Sequence, residues 1–134
     1  GQSNVSIHAP RCRGAMHGGT GRGVERVKKI YLSGPMSGLP DLNFPAFHAA
    51  AAALRAKGLH VINPAEINPE GEKTWHACMR SDIKALCDCD EIALLPGWEN
   101  STGAHVELNL AHRLGMRVVA IEALIDEVYL GAAA

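Results

Sequence analysis

The chain has 134 residues, enough for one compact domain. Its formal net charge of -1 at pH 7 argues against a dedicated nucleic-acid binder. No stretch approaches the roughly 18 consecutive apolar residues of a membrane span, and the N-terminal segment lacks the apolar core of a signal peptide. We therefore expect a cytoplasmic protein that binds neither nucleic acid nor membrane.

Residues 1–26 differ in composition from the rest of the chain. They are rich in Gly, hold four Arg and one Glu, and show no apolar periodicity. The run GGTGRG at 18–23 superficially resembles a phosphate-binding loop, but no Lys-Ser/Thr follows it and no strand precedes it. We predict that residues 1–26 are a disordered N-terminal extension and that residues 27–134 form the domain.

From residue 27 onward, strand patterns alternate with helix patterns. Short apolar runs predict strands at 28–33, 59–63, 91–95 and 116–121. Helical spacing predicts helices at 44–57, 74–89, 102–115 and 125–130, and the segments 34–43, 64–73 and 96–101 are predicted loops.

This alternation predicts an α/β fold in which helices cover both faces of a parallel sheet, as in a three-layer sandwich. We expect four to five strands, and right-handed crossovers favour the strand order 2-1-3-4. A ligand crevice then lies at the carboxyl ends of strands 1 and 3, where the strand order reverses. The loops 34–43 and 96–101 meet at that point.

Two of the predicted helices each carry one carboxylate in the middle of an apolar face. At about 100° per residue, Glu107 lies opposite the polar arc of its helix, and Asp82 lies among apolar residues on the preceding helix. A buried carboxylate needs a partner, a shifted pKa or a solvated cleft. Each could form a salt bridge, for example Asp82 with Arg80 or Arg55. Alternatively both reach one crevice, as the paired carboxylates of a glycosidase do.

The loops at the predicted crevice carry small and hydroxylated residues. The segment SGPMSG at 33–38 lets backbone amides approach a ligand, and it also suits a tight turn after a strand. Ser101, Thr102 and Gly103 open the third helix, where free N–H groups suit an anion, and where Ser101 also suits a plain helix cap.

The four cysteines do not suggest a disulfide framework. Cys87 and Cys89 are too close on one helix to pair easily, and the chain shows no secretory context. A metal site joining His76, Cys78, Cys87 and Cys89 is disfavoured because these side chains diverge around a helix. We expect no metal and no cofactor.

Several motifs together resemble the nucleoside 2-deoxyribosyltransferase-like family, in particular a small branch of uncharacterised phage and bacterial proteins. In chain order they are YLSGPM at 31–36, RSD at 80–82, CDEIAL at 89–94 and SxGxxxE at 101–107. The resemblance covers roughly residues 28–122. It implies a flavodoxin-like fold, a homo-oligomer such as a dimer or tetramer, and a nucleoside or nucleotide as the small-molecule partner.

The resemblance also implies roles for individual residues. Glu107 would be the nucleophile that attacks C1′ of the sugar, and Asp82 would hold the sugar hydroxyls or pass a proton to the departing base. The residues expected to bind substrate are Tyr31, Ser33, Gly34, Pro35, Met36, Trp98, Ser101 and Gly103.

The expected reaction is cleavage of the N-glycosidic bond of a (deoxy)nucleoside or its 5′-monophosphate through a covalent intermediate on Glu107. Either water or a second base would then take the sugar. One alternative is a phosphoribohydrolase of the lysine-decarboxylase-like type, suggested by the spacing of Pro96, Gly97, Gly103 and Glu107. Others are a nucleotide-binding sensor or phage accessory protein without turnover, and an interaction module with a buried salt bridge.

Overall fold

The structure is a computed structural model that describes residues 28–68 and 74–126. The predicted N-terminal extension, residues 1–26, lies outside the described residues. The same holds for most of the predicted terminal helix at 125–130.

Helices and strands alternate along the described chain, close to the predicted positions. The strands are β1 (Lys29–Ser33), β2 (His60–Ile62), β3 (Glu91–Leu94) and β4 (Arg117–Ala120). The helices are α1 (Phe44–Arg55), α2 (Pro64–Ile67), α3 (Trp75–Cys87), α4 (Thr102–Arg113) and α5 at 121–126.

Four helical segments differ from the predictions: α2, α5 and two short 3₁₀ helices at Pro40–Asn43 and Trp98–Asn100, which lie in predicted loops. α2 lies where the sequence analysis placed only a loop, and it begins because the Asn63 side chain accepts a hydrogen bond from the backbone N–H of Ala65. Pro64 occupies its first turn, where a missing N–H is tolerated. α5 begins directly after β4, four residues earlier than predicted.

The four strands of the described residues form one parallel sheet in the order β2-β1-β3-β4. The predicted fold class and strand order are therefore confirmed. β1 and β3 are neighbours, with Ser33 opposite Leu94, so their carboxyl ends reach the same edge of the sheet.

Alternation along β1 decides which side chains meet which helices. Ile30 and Leu32 join a core that includes Phe47 and Leu54 of α1, while Tyr31 belongs to a second core with Leu86 of α3. Successive strand residues point to opposite faces of a sheet. Tyr31 and Ser33 therefore both face the layer formed by α3 and α4.

Gly34 directly follows β1 and lies close to Leu95, the residue after β3. A Cβ atom at this position would lie 2.8 Å from Cβ of Leu95 and 3.4 Å from Cζ of Phe47. Both neighbours are buried. Only glycine fits here without a shift of the sheet edge.

We expect Gly34→Ala to lower the free energy of unfolding by about 1–3 kcal/mol, because the new methyl group overpacks a rigid contact with Leu95. Urea unfolding of the variant measures the loss. Gly103→Ala is the matched control: its Cβ would lie 3.2 Å from the Met79 thioether, which can move. Equal stability of Gly34→Ala and wild type would contradict the close approach.

Candidate active site

Glu107 lies on α4 and is only 5% exposed. Each of its carboxylate oxygens accepts a hydrogen bond from a hydroxyl group of β1. The Tyr31 hydroxyl donates to Oε2 at 2.8 Å, and the Ser33 hydroxyl donates to Oε1 at 2.6 Å. Because Tyr31 and Ser33 are two residues apart on one strand, a single sheet face holds both ends of the carboxylate.

The surroundings of Glu107 push its pKa in opposite directions. Burial raises the pKa of Glu107 from its ordinary value of 4.5 to about 7, since the charged form loses hydration. The hydrogen bonds from Ser33 and Tyr31 lower the pKa, and the negative charge of Asp82 raises it. Near neutral pH the carboxyl is therefore close to the midpoint of its titration.

The same burial acts on Tyr31, which has no exposed surface. Desolvation, followed by the negative charges of Glu107 and Asp82, raises the pKa of Tyr31 well above its ordinary value. The phenol therefore stays protonated at neutral pH. It can serve as a permanent hydrogen-bond donor to Glu107.

Asp82 lies on α3 and is 7% exposed. Its Oδ1 accepts a hydrogen bond of 2.5 Å from the side-chain amide of Asn68. Arg55, one of the alternative partners expected from the sequence, instead binds Glu66 through a hydrogen-bonded ion pair of 2.7 Å. The predicted burial of both carboxylates on otherwise apolar helix faces is confirmed.

A cavity of about 560 Å³ contains both carboxylates. This volume lies in the range of small-molecule sites. Three segments line it with the residues that follow: Ser33, Gly34, Pro35, Met36, Ser37, Leu42 and Phe47 from the β1–α1 region; Pro64, Trp75, Cys78, Met79 and Asp82 around α3; Asn100, Ser101, Thr102, Gly103, Ala104 and Glu107 around α4.

The start of α4 brings backbone groups to this cavity. The Ser101 hydroxyl accepts a hydrogen bond from the backbone N–H of Ala104, so the predicted cap is confirmed. Capping leaves other N–H groups of the first turn and the positive end of the helix dipole beside the cavity. The carboxylates and the helix N-terminus thus lie in one site.

The turn before α1 adds a strained segment to the cavity wall. Asp41, Leu42 and Asn43 have φ angles of 52°, 53° and 60°, in the left-handed region that non-glycine residues rarely adopt. The Asn43 side chain donates a hydrogen bond of 2.9 Å to the carbonyl of Pro35 and ties the turn to the loop after β1. The Leu42 side chain lines the cavity as a result.

Most of the residues predicted to bind substrate do line this cavity. They are Ser33, Gly34, Pro35, Met36, Ser101 and Gly103, together with Asp82 and Glu107.

Two predicted substrate-binding residues lie elsewhere. Tyr31 is completely buried and supports Glu107 from the sheet instead of lining the cavity. Trp98 packs against the core that contains Tyr31 and Leu86, with its ring centroid 5.3 Å from that of His105. Neither side chain is among the described residues that line the cavity.

Among the site residues that were not singled out from the sequence are Trp75 and Asn68. Trp75 is 44% exposed and lines the cavity near Met79, although helical projection alone groups it with core residues. Asn68 reaches Asp82 from the end of α2, fourteen residues earlier in the chain. No periodic pattern marks Asn68, and its partner is remote in sequence.

The described residues also bear on the predictions about metal-ligand groups, disulfides and membrane-spanning helices. Within residues 28–68 and 74–126 no three His, Cys, Asp or Glu side chains are grouped to hold a metal ion. Cys78, Cys87 and Cys89 are free thiols. In this same part of the chain, no helix is both long and apolar enough to cross a membrane.

Burial of Glu107 has a consequence for stability. The folded state binds the Glu107 proton more tightly than the unfolded state, because the pKa is about 7 against an ordinary 4.5. The free energy of unfolding therefore falls as the pH rises from about 4.5 to about 7, by on the order of 3 kcal/mol, and this loss persists above pH 7.

The amide of Glu107→Gln does not titrate. We therefore expect this variant to be more stable than wild type at pH 8, and its free energy of unfolding to depend less on pH. Urea unfolding at pH 5 and pH 8 measures both effects. Glu122→Gln, which changes an exposed glutamate of α5, serves as the control. Its free energy of unfolding should change between pH 5 and pH 8 as much as that of wild type. If the free energy of unfolding of Glu107→Gln changed between pH 5 and pH 8 as much as that of wild type, burial would not be raising the pKa of Glu107.

Comparison with known proteins supports the fold. A solved structure of a 2-deoxyribosyltransferase from the psychrotolerant bacterium Bacillus psychrosaccharolyticus is similar, with a TM-score of 0.54 and 24% sequence identity. The match covers 68% of this chain and 70% of the other. That protein is described as a biocatalyst for the synthesis of antiviral and antitumoral nucleosides. A search among curated proteins finds no significant match.

A family described as a domain of unknown function, DUF4406, matches residues 28–120. The fold that the motifs led us to expect is confirmed, since it is similar to the fold of a 2-deoxyribosyltransferase. The chain belongs to the DUF4406 family.

Proposed function

We propose that this protein cleaves the N-glycosidic bond of a (deoxy)nucleoside or of its 5′-monophosphate, with Glu107 as the nucleophile. One observation carries the proposal: a buried glutamate at the cavity, held at both oxygens by hydroxyl donors, shares that cavity with a second carboxylate. Similarity to a 2-deoxyribosyltransferase fold agrees with this chemistry.

In the first step, a Glu107 oxygen forms a bond to C1′ of the sugar while the bond from C1′ to the base nitrogen breaks. The electron pair of the broken bond goes to the base, which takes up a proton from water or from an acid in the cavity. Tyr31 and Ser33 keep the carboxylate oriented during the attack. The product is a glycosyl ester on Glu107.

In the second step, a water oxygen or a nitrogen of another base attacks C1′. The ester bond breaks, its electron pair returns to Glu107, and the attacking group loses a proton. Water gives hydrolysis, whereas a second base gives transfer. Asp82 lies in the same cavity, where it would hold the sugar hydroxyls or pass a proton to the departing base.

The cavity walls suit the two ends of such a substrate. Trp75 and Met79 offer an apolar surface on which a base can stack. Ser101 and Gly103 at the start of α4 suit the sugar and any 5′-phosphate, because backbone N–H groups and the helix dipole favour anions there.

We expect Glu107→Gln to lose about a thousandfold or more in base release, because the amide cannot act as nucleophile. Chromatography after incubation with a panel of nucleosides and 5′-monophosphates measures free base, and a second base added to the mixture separates transfer from hydrolysis. The control is Glu99→Gln, an exposed residue outside the cavity lining. Calorimetry on Glu107→Gln should show that ligand binding is largely retained.

Acid quenching of the wild type during turnover should leave a pentosyl group on the peptide that contains Glu107, detectable by mass spectrometry. A sensor without turnover would instead bind ligand equally in both forms and release no base from either. Base release that survives in Glu107→Gln would refute the assignment of the nucleophile.

We also expect kcat/KM to rise with pH, with a midpoint near the Glu107 pKa of about 7, because the ionised carboxylate attacks. Tyr31→Phe removes a hydrogen bond that lowers this pKa, so the midpoint should move upward by about one pH unit. The pH profile of base release measures the shift, and Ser33→Ala should move it in the same direction. Profiles that coincide with wild type in both variants would contradict the role of the hydroxyls.

A further inference from the structure

Asn68 is a buried amide that touches Asp82 without lining the cavity. It is 8% exposed and follows the last residue of α2. Its Nδ2 donates to Oδ1 of Asp82 at 2.5 Å and to the carbonyl of Pro64 at 3.5 Å. Its own Oδ1 is buried and has no hydrogen-bond partner among residues 28–68 and 74–126.

The contacts of Asn68 determine which way its amide faces. The backbone carbonyl of Pro64 can only accept a hydrogen bond, so it requires the NH₂ group of Asn68 on its side. The same NH₂ group then meets Asp82. The reverse orientation would place the amide oxygen against a carboxylate oxygen, which is repulsive unless that carboxyl carries a proton.

The unpartnered amide oxygen makes Asn68 a poor choice for packing alone. A buried carbonyl oxygen without a donor opposes folding, whereas an apolar side chain of similar shape avoids that loss. The two hydrogen bonds from Nδ2 are what Asn68 contributes here. The shorter of them ends on a residue of the candidate site.

We propose that Asn68 is a positioning residue that keeps Asp82 ionised and oriented as a hydrogen-bond acceptor toward the cavity. A hydrogen bond donated to a carboxylate favours its charged form, and an ionised carboxylate can only accept. This inference rests on the proposed function. It assigns Asp82 to the sugar hydroxyls instead of proton delivery to the base.

A neighbouring carboxylate opposes the ionised form of Asp82. The negative charge of Asp82 raises the pKa of Glu107 on α4, so the two charges repel, whereas Tyr31 on β1 stays protonated and carries no charge at neutral pH. Cys78 of α3 lines the same cavity, and Glu66 of α2 is exposed and paired with Arg55. An ionised Glu107 disfavours a second negative charge nearby, so a donor beside Asp82 offsets that repulsion.

Carbon-13 NMR of the Asp82 carboxyl in the full chain tests the inference without any need for turnover. Asn68→Leu keeps the approximate shape of the side chain but removes the donor, and Asn68→Ala removes it with a smaller group. In each variant that thermal unfolding shows to be folded, we expect the Asp82 titration midpoint to rise by about one pH unit. Asn109→Leu, which changes an exposed asparagine of α4, should leave it unmoved. Midpoints equal to wild type in the Asn68 variants would overturn the inference.

A double-mutant cycle adds a kinetic test, with 2′-deoxyadenosine as the probe. We expect Asn68→Leu to lower kcat/KM by about tenfold. Once Asp82→Ala has removed the carboxylate, the same change should cause no further loss, because Asn68 acts through Asp82. If Asn68→Leu lowered kcat/KM by the same factor with and without Asp82→Ala, the inference would be overturned.

The two proposals fail separately. A wild type that releases no base from any nucleoside or 5′-monophosphate overturns the proposed function. The NMR titration then still decides whether Asn68 holds Asp82 ionised.

Discussion

The burial of one carboxylate governs the arrangement of this molecule. Glu107 points from α4 into the layer beside the sheet, where loss of hydration alone would keep it protonated. Two hydroxyl donors on β1 oppose that effect, and the pKa of Glu107 settles at about 7. A carboxylate with little water around it and a fixed orientation is a better nucleophile than an exposed one. α4 supplies the carboxylate, and β1 supplies both of its hydroxyl donors.

Asp82 makes the ionised form of Glu107 less favourable in the resting protein, but it suits the proposed chemistry. Its charge raises the pKa of Glu107, so the two carboxylates repel each other across the cavity. During cleavage of an N-glycosidic bond the sugar develops positive charge. Two negative groups already fixed around C1′ would stabilise that charge without having to reorganise. In the proposed reaction, the repulsion between the two carboxylates would be relieved as the transition state forms.

Periodicity and capping rules predict the scaffold well, because they depend on neighbours in sequence. The strand order, the cap at Ser101, and the inward positions of Asp82 and Glu107 are all confirmed. The α2 helix was missed although Asn63 and Pro64 form a recognisable start, because its single turn is too short for periodicity to reveal.

What the sequence could not supply were contacts between distant segments. Trp98 was the tryptophan expected at the substrate, yet the packing of α3 and α4 places Trp75 along the cavity and leaves Trp98 partly buried against the core that contains Tyr31 and Leu86. In the same way, the meeting of Asn68 with Asp82 depends on where α2 ends in space.

Both hydroxyl donors to Glu107 come from alternate positions of a single strand. Ile30 precedes the first donor, and Leu32 lies between the two. Slippage of β1 by one residue against β3 would turn every side chain to the opposite layer. Glu107 would then face two aliphatic groups, and its negative charge would have no donor from the strand. The register of β1 against β3 therefore determines both the packing of the two cores and the contacts of the Glu107 carboxylate.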